Sequence, residues 1–404
     1  MNEPKLRFPE FTDDWKSCKV SEVAEKTFGG GTPKTSNETF WIGEIPWIQS
    51  SDLVDGNLFD INPKKYISQE AINKSAAKLI PENSIAVVTR VGVGKLMFVP
   101  FSYATSQDFL SLSGLKTEPQ FTSYSLYKRL QQDLCKVQGT SIKGITKDEL
   151  LIKEIMVPSY EEQKKIGECL HSVDTLIQSA KKELEGYREL KQGMLQKMFP
   201  KKGEKVPEIR FLADDGSQFL EWEEKKIDDL FYKVNERNNG QFGKDKWISV
   251  AKMYYQDEDK VTSNNIDTRT YVMRVGDMSF EGHPNKEFKY GRFVVNDIGD
   301  GIISELFPIY RHKENYILKY WKYAIQVDSI MQKIYRKSIT SSGASSNKLD
   351  DDDFKRQSIL IPCLEEQKKI GEYFQNLDNL IASQQQEIEG YKELKKGLLQ
   401  QMFC

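Results

Sequence analysis

The chain repeats itself once. Residues 155–200 (IMVPSYEEQKKIGECLHSVDTLIQSAKKELEGYRELKQGMLQKMFP) and 359–404 (ILIPCLEEQKKIGEYFQNLDNLIASQQQEIEGYKELKKGLLQQMFC) align without a gap at an offset of 204, with 26 identities in 46 positions. Solenoid units run to about 20–50 residues, so so long a period excludes a solenoid. It requires two large halves, each a globular region followed by the repeated segment. The starts of the halves echo too. Pro4-Lys5-Leu6-Arg7-Phe8 matches Pro207-Glu208-Ile209-Arg210-Phe211, and Trp15 with Lys19-Val20 matches Trp222 with Lys226-Ile227. Between these echoes the halves diverge. A duplicated frame carries two dissimilar inserts.

The repeated segment has the pattern of a helix. Pro158 and Pro362 end short apolar runs that read as strands, Ile155–Val157 and Ile359–Ile361. Apolar positions then recur at alternating steps of four and three: Ile166, Leu170, Val173, Ile177, Ala180, Leu184, Tyr187, Met194 and Met198, with Lys191 as the one breach. The second copy gives Ile370, Phe374, Leu377, Ile381, Ile388, Tyr391, Leu398 and Met402, interrupted by Gln384 and Lys395. This is an a/d heptad stripe. A second stripe (Leu176, Leu190, Leu195, Phe199) widens the apolar face. From Glu161 to Phe199 the rod is roughly 58 Å long at about 1.5 Å per residue, and it cannot bury its stripe on itself. Two copies in one chain favour intramolecular antiparallel pairing over a homodimeric coiled coil. Gly167, Gly186 and Gly193 recur in the second copy. Each costs about 1 kcal/mol against alanine, which close helix approach or a partner's side chain would offset.

The inserts read as mixed α and β. In the first, Gly29-Gly30-Gly31-Thr32-Pro33, Pro46, Gly56, Pro63, Pro81, Pro100 and Gly114 punctuate short apolar runs at Pro46–Ile48, Ser84–Thr89, Lys95–Val99 and Phe109–Leu115. Short strands with turn signals every ten or so residues suggest a curved sheet. Ser68–Leu79 and Ser123–Leu134 read as helices. In the second, Trp247-Ile248 sits where Trp47-Ile48 sits, Arg274–Phe280 follows a loop, and Asn315–Lys333 looks helical. Each insert ends in a small-polar loop, Gly139–Gly144 and Thr340–Ser346, where the backbone can approach something large.

Composition and motif searches exclude more than they assign. Hydrophobic residues are 38% and aromatic residues 11% of the 404, enough for real cores. No run of eighteen apolar residues suggests a membrane span, and the N-terminus does not read as a secretory signal. Five cysteines lie far apart without a CxxC pair, against a zinc ribbon or a disulfide scaffold and in keeping with a reducing cytoplasm. The net charge of −2 gives no support to a nucleic-acid partner, so any basic surface must be gathered on one face or shared with another subunit. Gly92-Val93-Gly94-Lys95 is too short for a phosphate-binding loop and reads as a strand-edge turn. Gly29-Gly30-Gly31 lacks the dinucleotide spacing, and no amino-methyltransferase Asn/Asp-Pro-Pro-Tyr run is present. Glu161-Glu162 with Lys164-Lys165 reads as a solvated helix start rather than a nuclease carboxylate–lysine set. Asp350–Asp353 reads as an acidic helix N-terminus, and His171, His283 and His312 are scattered. No catalytic or metal-binding residues are assigned.

On these residues the chain resembles the DNA-specificity subunit of type I restriction–modification systems. The resemblance rests on the globular–helix–globular–helix plan and on Pro158 followed by EEQKKIG. It rests also on the helix ends LKQGMLQKMF and LKKGLLQQMF, the GTSIKGIT loop, and Trp15 with Val20 opening the first insert. It covers essentially the whole chain. It implies an α+β chain with two target recognition domains, 1–154 and 201–358, containing mixed sheets. The repeat helices 155–200 and 359–404 would pack as an intramolecular antiparallel coiled coil with pseudo-twofold symmetry. Each domain would read one half of a bipartite, asymmetric double-stranded DNA target. The helices would set the spacing and dock two methyltransferase subunits, to which restriction subunits join. S-adenosylmethionine, ATP and Mg would belong to those partners. The remaining alternatives are a coiled-coil scaffold for proteins and a self-sufficient DNA methyltransferase or nuclease.

Candidate DNA contacts are loop positions carrying basic, amide or small hydroxyl groups. In the first domain these are Thr32, Lys34, Ser50, Ser51, Thr89, Arg90, Ser106, Gln107, Ser141 and Lys143. In the second they are Lys246, Lys252, Tyr254, Lys286, Lys289, Tyr290, Arg292, Ser341, Ser342 and Lys348. Arg90 and Arg292 are the strongest base-edge candidates, because arginine can grip guanine through two hydrogen bonds.

Overall fold

A computed structural model of the chain describes residues 3–136, 144–285, 288–341 and 346–404. Two compact units emerge. One is Met1–Lys182 with Gln386–Cys404, the other Glu183–Gln385. Each holds one insert, the first part of the long helix that follows it, and the last part of the other long helix.

The first unit is built on a four-stranded antiparallel sheet in the order Ala24–Gly29, Phe109–Leu115, Ser84–Val88, Leu96–Val99. The central strand Ser84–Val88 is buried along its whole length. Side chains alternate across a strand, so Ile85 and Val87 join a core with Phe121, Tyr124 and Leu130 of the helix Pro119–Lys136. Ala86 and Val88 face the other way, into a core with Ile48, Met97, Tyr103 and Phe109. A three-stranded sheet flanks this core. In it Trp47 and Ile48 pair in parallel with Ala104 and Thr105.

The second unit repeats the plan with other residues. Its sheet runs Phe231–Val234, Ile309–His312, Met278–Glu281, Arg292–Val295, the same order along the chain as in the first unit. Trp247 bridges in parallel to Ile302, as Trp47 does to Ala104. The frame strands repeat as well: Lys16–Lys19 pairs with Glu154–Val157, and Glu223–Lys226 with Ser358–Ile361.

The repeated segments are helices of 38 residues each, Tyr160–Lys197 and Leu364–Gln401. In the first unit Ile166 and Leu170 share a core with Leu398, Met402 and Phe403. In the second, Ile370, Phe374 and Leu377 share one with Met194, Met198 and Phe199. In each unit the beginning of one rod meets the end of the other, which sets an antiparallel direction. Most of the heptad stripe is buried, and Tyr187, Met194, Ile381, Tyr391 and Leu398 are half-buried. Of the second stripe, Phe199 is buried, while Leu176 and Leu190 stay exposed, as do their counterparts Leu380 and Leu394.

Several local expectations are corrected. The helix expected over 68–79 is only Gln69–Lys74, because the Ser75 hydroxyl accepts from Ala77 N–H and turns the chain out of the helix. The helix expected over 123–134 runs Pro119–Lys136, with Pro119 suited to its first turn and the Glu118 carboxylate accepting from Phe121 N–H. The segment 315–333 is two helices, Leu318–Ala324 and Asp328–Ser338. They are broken where Ile325 and Val327 are both buried. Arg274–Phe280 contains a turn with Gly276 at φ +89°, ahead of the strand Met278–Glu281. Glu161 is solvated, but Glu162 is not. It is 1% exposed and accepts from Arg7 Nε at 2.8 Å and Trp15 Nε1 at 3.3 Å. Glu366 likewise pairs with Arg210 at 2.7 Å. The echoed PKLRF and PEIRF segments are thus the partners of the echoed helix starts. Gly92 and Gly94 form the expected turn, both with positive φ. Asp350 caps the helix Asp351–Lys355 by accepting from Asp353 N–H.

Candidate nucleic-acid interface

Strand direction decides which loops meet. In the first unit Gly29 and Val88 end their strands where Phe109 begins its own. The loops after Gly29, after Val88 and before Phe109 therefore share one end of the sheet. Thr32 Oγ1 donates to Gln107 Oε1 at 2.6 Å across two of them. Gly31 N–H donates to Thr105 O, and Ser106 N–H to Ile48 O, which brings Ser50 and Ser51 beside the same end. Ile145 N–H donates to Thr89 O at 2.7 Å, so the chain leaving the small-polar loop returns here as well.

The candidates at this end divide into two kinds. Thr89 and Ser106 are buried, and their hydroxyls bond to Asp108, so they shape the loop. Lys34, Ser51, Arg90 and Gln107 are exposed. Ser50 begins a short 3-10 turn that Gln49 and Asp52 cap reciprocally. Ser141 and Lys143 lie outside the described residues.

The second unit gathers the equivalent end. Glu281 ends its strand opposite Arg292, which begins the next. Asn347 N–H donates to Gly282 O at 2.8 Å, and its side-chain amide to Lys289 O at 3.3 Å. This fixes the Ile339–Ser341/Asn347–Leu349 hairpin, which carries exposed Lys348, beside exposed Lys289. Tyr290 is half-buried against Tyr335. Arg292 donates to Ala251 O and stacks over Phe288 at 4.5 Å, which holds the turn bearing exposed Lys252 against the same edge. Lys246 lies at the base of the hairpin Ile248–Ser249/Tyr254–Tyr255, with its ammonium 4.6 Å from the Tyr255 ring, and Tyr254 is exposed. Ser341 ends its strand at this edge, while Lys286 and Ser342 lie outside the described residues.

Charge is sorted within this unit. Arg274 is held by Glu236 and Asp300, and its hydrogen bonds keep both carboxyls below their usual range. Arg311 grips buried Asp277 through two bonds of 2.7 and 2.8 Å. These acids therefore spend their charge on internal arginines, and the lysines 252, 289 and 348 are left on the loop end. Glu281, at the same edge, is buried and bonded to His283 at 2.6 Å. His283, Glu281 and Asn347 were not among the sequence candidates. Their only signal is adjacency to the loops, since the pairing that brings them together spans tens of residues. Among the described residues, no three His, Cys, Asp or Glu side chains gather where they could hold a metal.

The model of the type I restriction modification DNA specificity domain matches residues 12–186 and again 220–390. The chain belongs to this family. Specificity subunits are among its relatives: MjaIX of Methanocaldococcus jannaschii, 29% identical over 180 residues, and EcoR124I/EcoR124II of Escherichia coli, 32% identical over 209. These matches cover 43% and 48% of this chain but only 40% and 51% of the relatives. The MjaVIII specificity subunit of M. jannaschii is 24% identical over 436 residues, 98% of this chain and 92% of that one. The specificity fold is seen also in the crystal structure of the type I S subunit from M. genitalium. That likeness has a TM-score of 0.57 at 14% identity and covers 100% of this chain and 99% of the other. No helix among the described residues is long and apolar enough to cross a membrane.

Proposed function

We propose that the chain is the non-catalytic reader of a type I restriction–modification complex in the cytoplasm. The domain in 1–154 reads one half of a split duplex sequence and the domain in 201–358 reads the other. The carrying observation is that two dissimilar inserts sit on a repeated frame, and each collects exposed basic side chains at the same end of an equivalent sheet. Dissimilar readers imply an asymmetric target. The helices 155–200 and 359–404 fix the separation of the half-sites. Their exposed leucines at 176, 190, 380 and 394 are where two methyltransferase subunits dock. Those subunits supply S-adenosylmethionine chemistry and share the phosphate contacts, which accommodates a reader with a net charge of −2. Restriction subunits join them and bring ATP and Mg.

Of the base-edge candidates, Arg90 is exposed and available, whereas Arg292 is engaged with Ala251 and Phe288. The test is co-purification with methyltransferase subunits followed by sequencing of methylated sites. A bipartite asymmetric target is expected. Arg90→Ala should relax the first half-site alone, by about 1–3 kcal/mol of discrimination. A protein scaffold would show no sequence-selective methylation even with partners present. A self-sufficient enzyme would bind S-adenosylmethionine by itself.

A further inference from the structure

One polar residue type breaks the heptad stripe at the same place in both copies: Lys191 and Lys395, 204 positions apart. Lys395 is buried and Lys191 half-buried. In the first unit Lys395 is 9% exposed and pairs with Asp174 at 2.6 Å. The other oxygen of Asp174 accepts from Tyr124 Oη at 2.6 Å, and the ammonium lies 5.4 Å from the Tyr124 ring. In the second unit Lys191 pairs with Asp378 at 2.5 Å, Tyr323 Oη donates to Asp378 at 2.7 Å, and the ammonium lies 5.2 Å from the Tyr323 ring. Each triad joins three elements: one long helix, the other long helix, and a helix of the insert. Going from the first pair to the second advances from 174 to 191 on one rod and retreats from 395 to 378 on the other, as antiparallel rods require.

The tyrosines make the coincidence informative. The frame repeats at 204, but Tyr124 and Tyr323 come from divergent inserts at a different offset, 199. Two differently built domains reach the same contact. Apolar stripes alone define register poorly, because a slip of seven residues again sets stripe against stripe. A charged pair inside the stripe removes that degeneracy, since a slip strands the buried Lys395 ammonium from half-buried Asp174, and half-buried Lys191 from half-buried Asp378. One heptad is about 10 Å of helix, or roughly three base pairs of duplex.

We infer that the Lys395–Asp174–Tyr124 and Lys191–Asp378–Tyr323 triads are register keys that fix the spacer length of the DNA target. They position the readers and do not touch DNA. The inference rests on the proposed function. The test is sequencing of methylated sites for the chain co-expressed with its methyltransferase subunits. In the unaltered chain, two half-sites at one fixed separation serve as the control, and their absence is a failure of the proposed function rather than of the keys. Lys191→Met combined with Lys395→Met preserves the apolar fit. It should methylate the same half-sites at added separations about three base pairs away. Reversing both pairs (Asp174→Lys with Lys395→Asp, and Asp378→Lys with Lys191→Asp) should return a single separation. A loss of assembly in the methionine variant that the reversed pairs restore also supports the keys. They are overturned if the methionine variant keeps only the original separation, or if neither variant assembles.

Discussion

His312 sits against Phe231 at 4.3 Å and stacks flat on Tyr316 at 3.9 Å, with Nε2 buried and unpaired. Burial lowers it from 6.5 to about 3. Between those values the unfolded chain takes up a proton that the folded ring refuses, so stability falls as pH drops from 6.5 toward 3 and the penalty is complete below that. His312→Gln should flatten this slope. The urea midpoint, followed by the fluorescence of Trp321 5.1 Å away, measures it at pH 7.5 and 5. A second residue-scale prediction concerns Arg7. Its side chain is 14% exposed and that of its partner Glu162 is 1% exposed. Removing the arginine strands a buried carboxylate, so Arg7→Ala should cost about 3–5 kcal/mol, and Arg7→Ala with Glu162→Gln should recover part of it. Chemical unfolding of the single and double variants checks this.

The long helices contain glycines of two kinds. A methyl at Gly167 would meet Glu118 Oε2 at 2.7 Å and Phe121 N at 3.0 Å, and one at Gly371 would meet Tyr320 N at 2.7 Å. These two allow the insert helices to lie directly on the rods. Gly186, Gly193, Gly390 and Gly397 have nothing within 4 Å. Gly167→Ala should therefore destabilise, while Gly186→Ala should stabilise the chain by up to about 1 kcal/mol through helix propensity. Thermal unfolding of the two variants should move in opposite directions. The rods were legible because a period of three and four survives in both copies. Their glycines were legible as positions but not as contacts, because what lies on Gly167 comes from the insert. The lysines at 191 and 395 looked like flaws in the stripe, and only the structure supplies Asp174 and Asp378 as their reason.

For the whole molecule, duplication made the plan readable: two inserts, two rods, and a repeated strand pair at each frame. The sheets were less readable. Their order depends on pairings such as Gly29 with Leu110, far apart in sequence. The candidate loops were chosen one by one by residue type. What the sequence could not reveal is that strand direction brings Thr32, Arg90 and Gln107 to one end, or that Arg292 is engaged within its own unit. The most direct test of two independent readers on one frame is a chain in which residues 15–154 also replace residues 222–358. Methylated sites of its complex would be sequenced at single-molecule resolution. A symmetric target carrying the first half-site twice is expected, and persistence of the original asymmetric target would contradict the account.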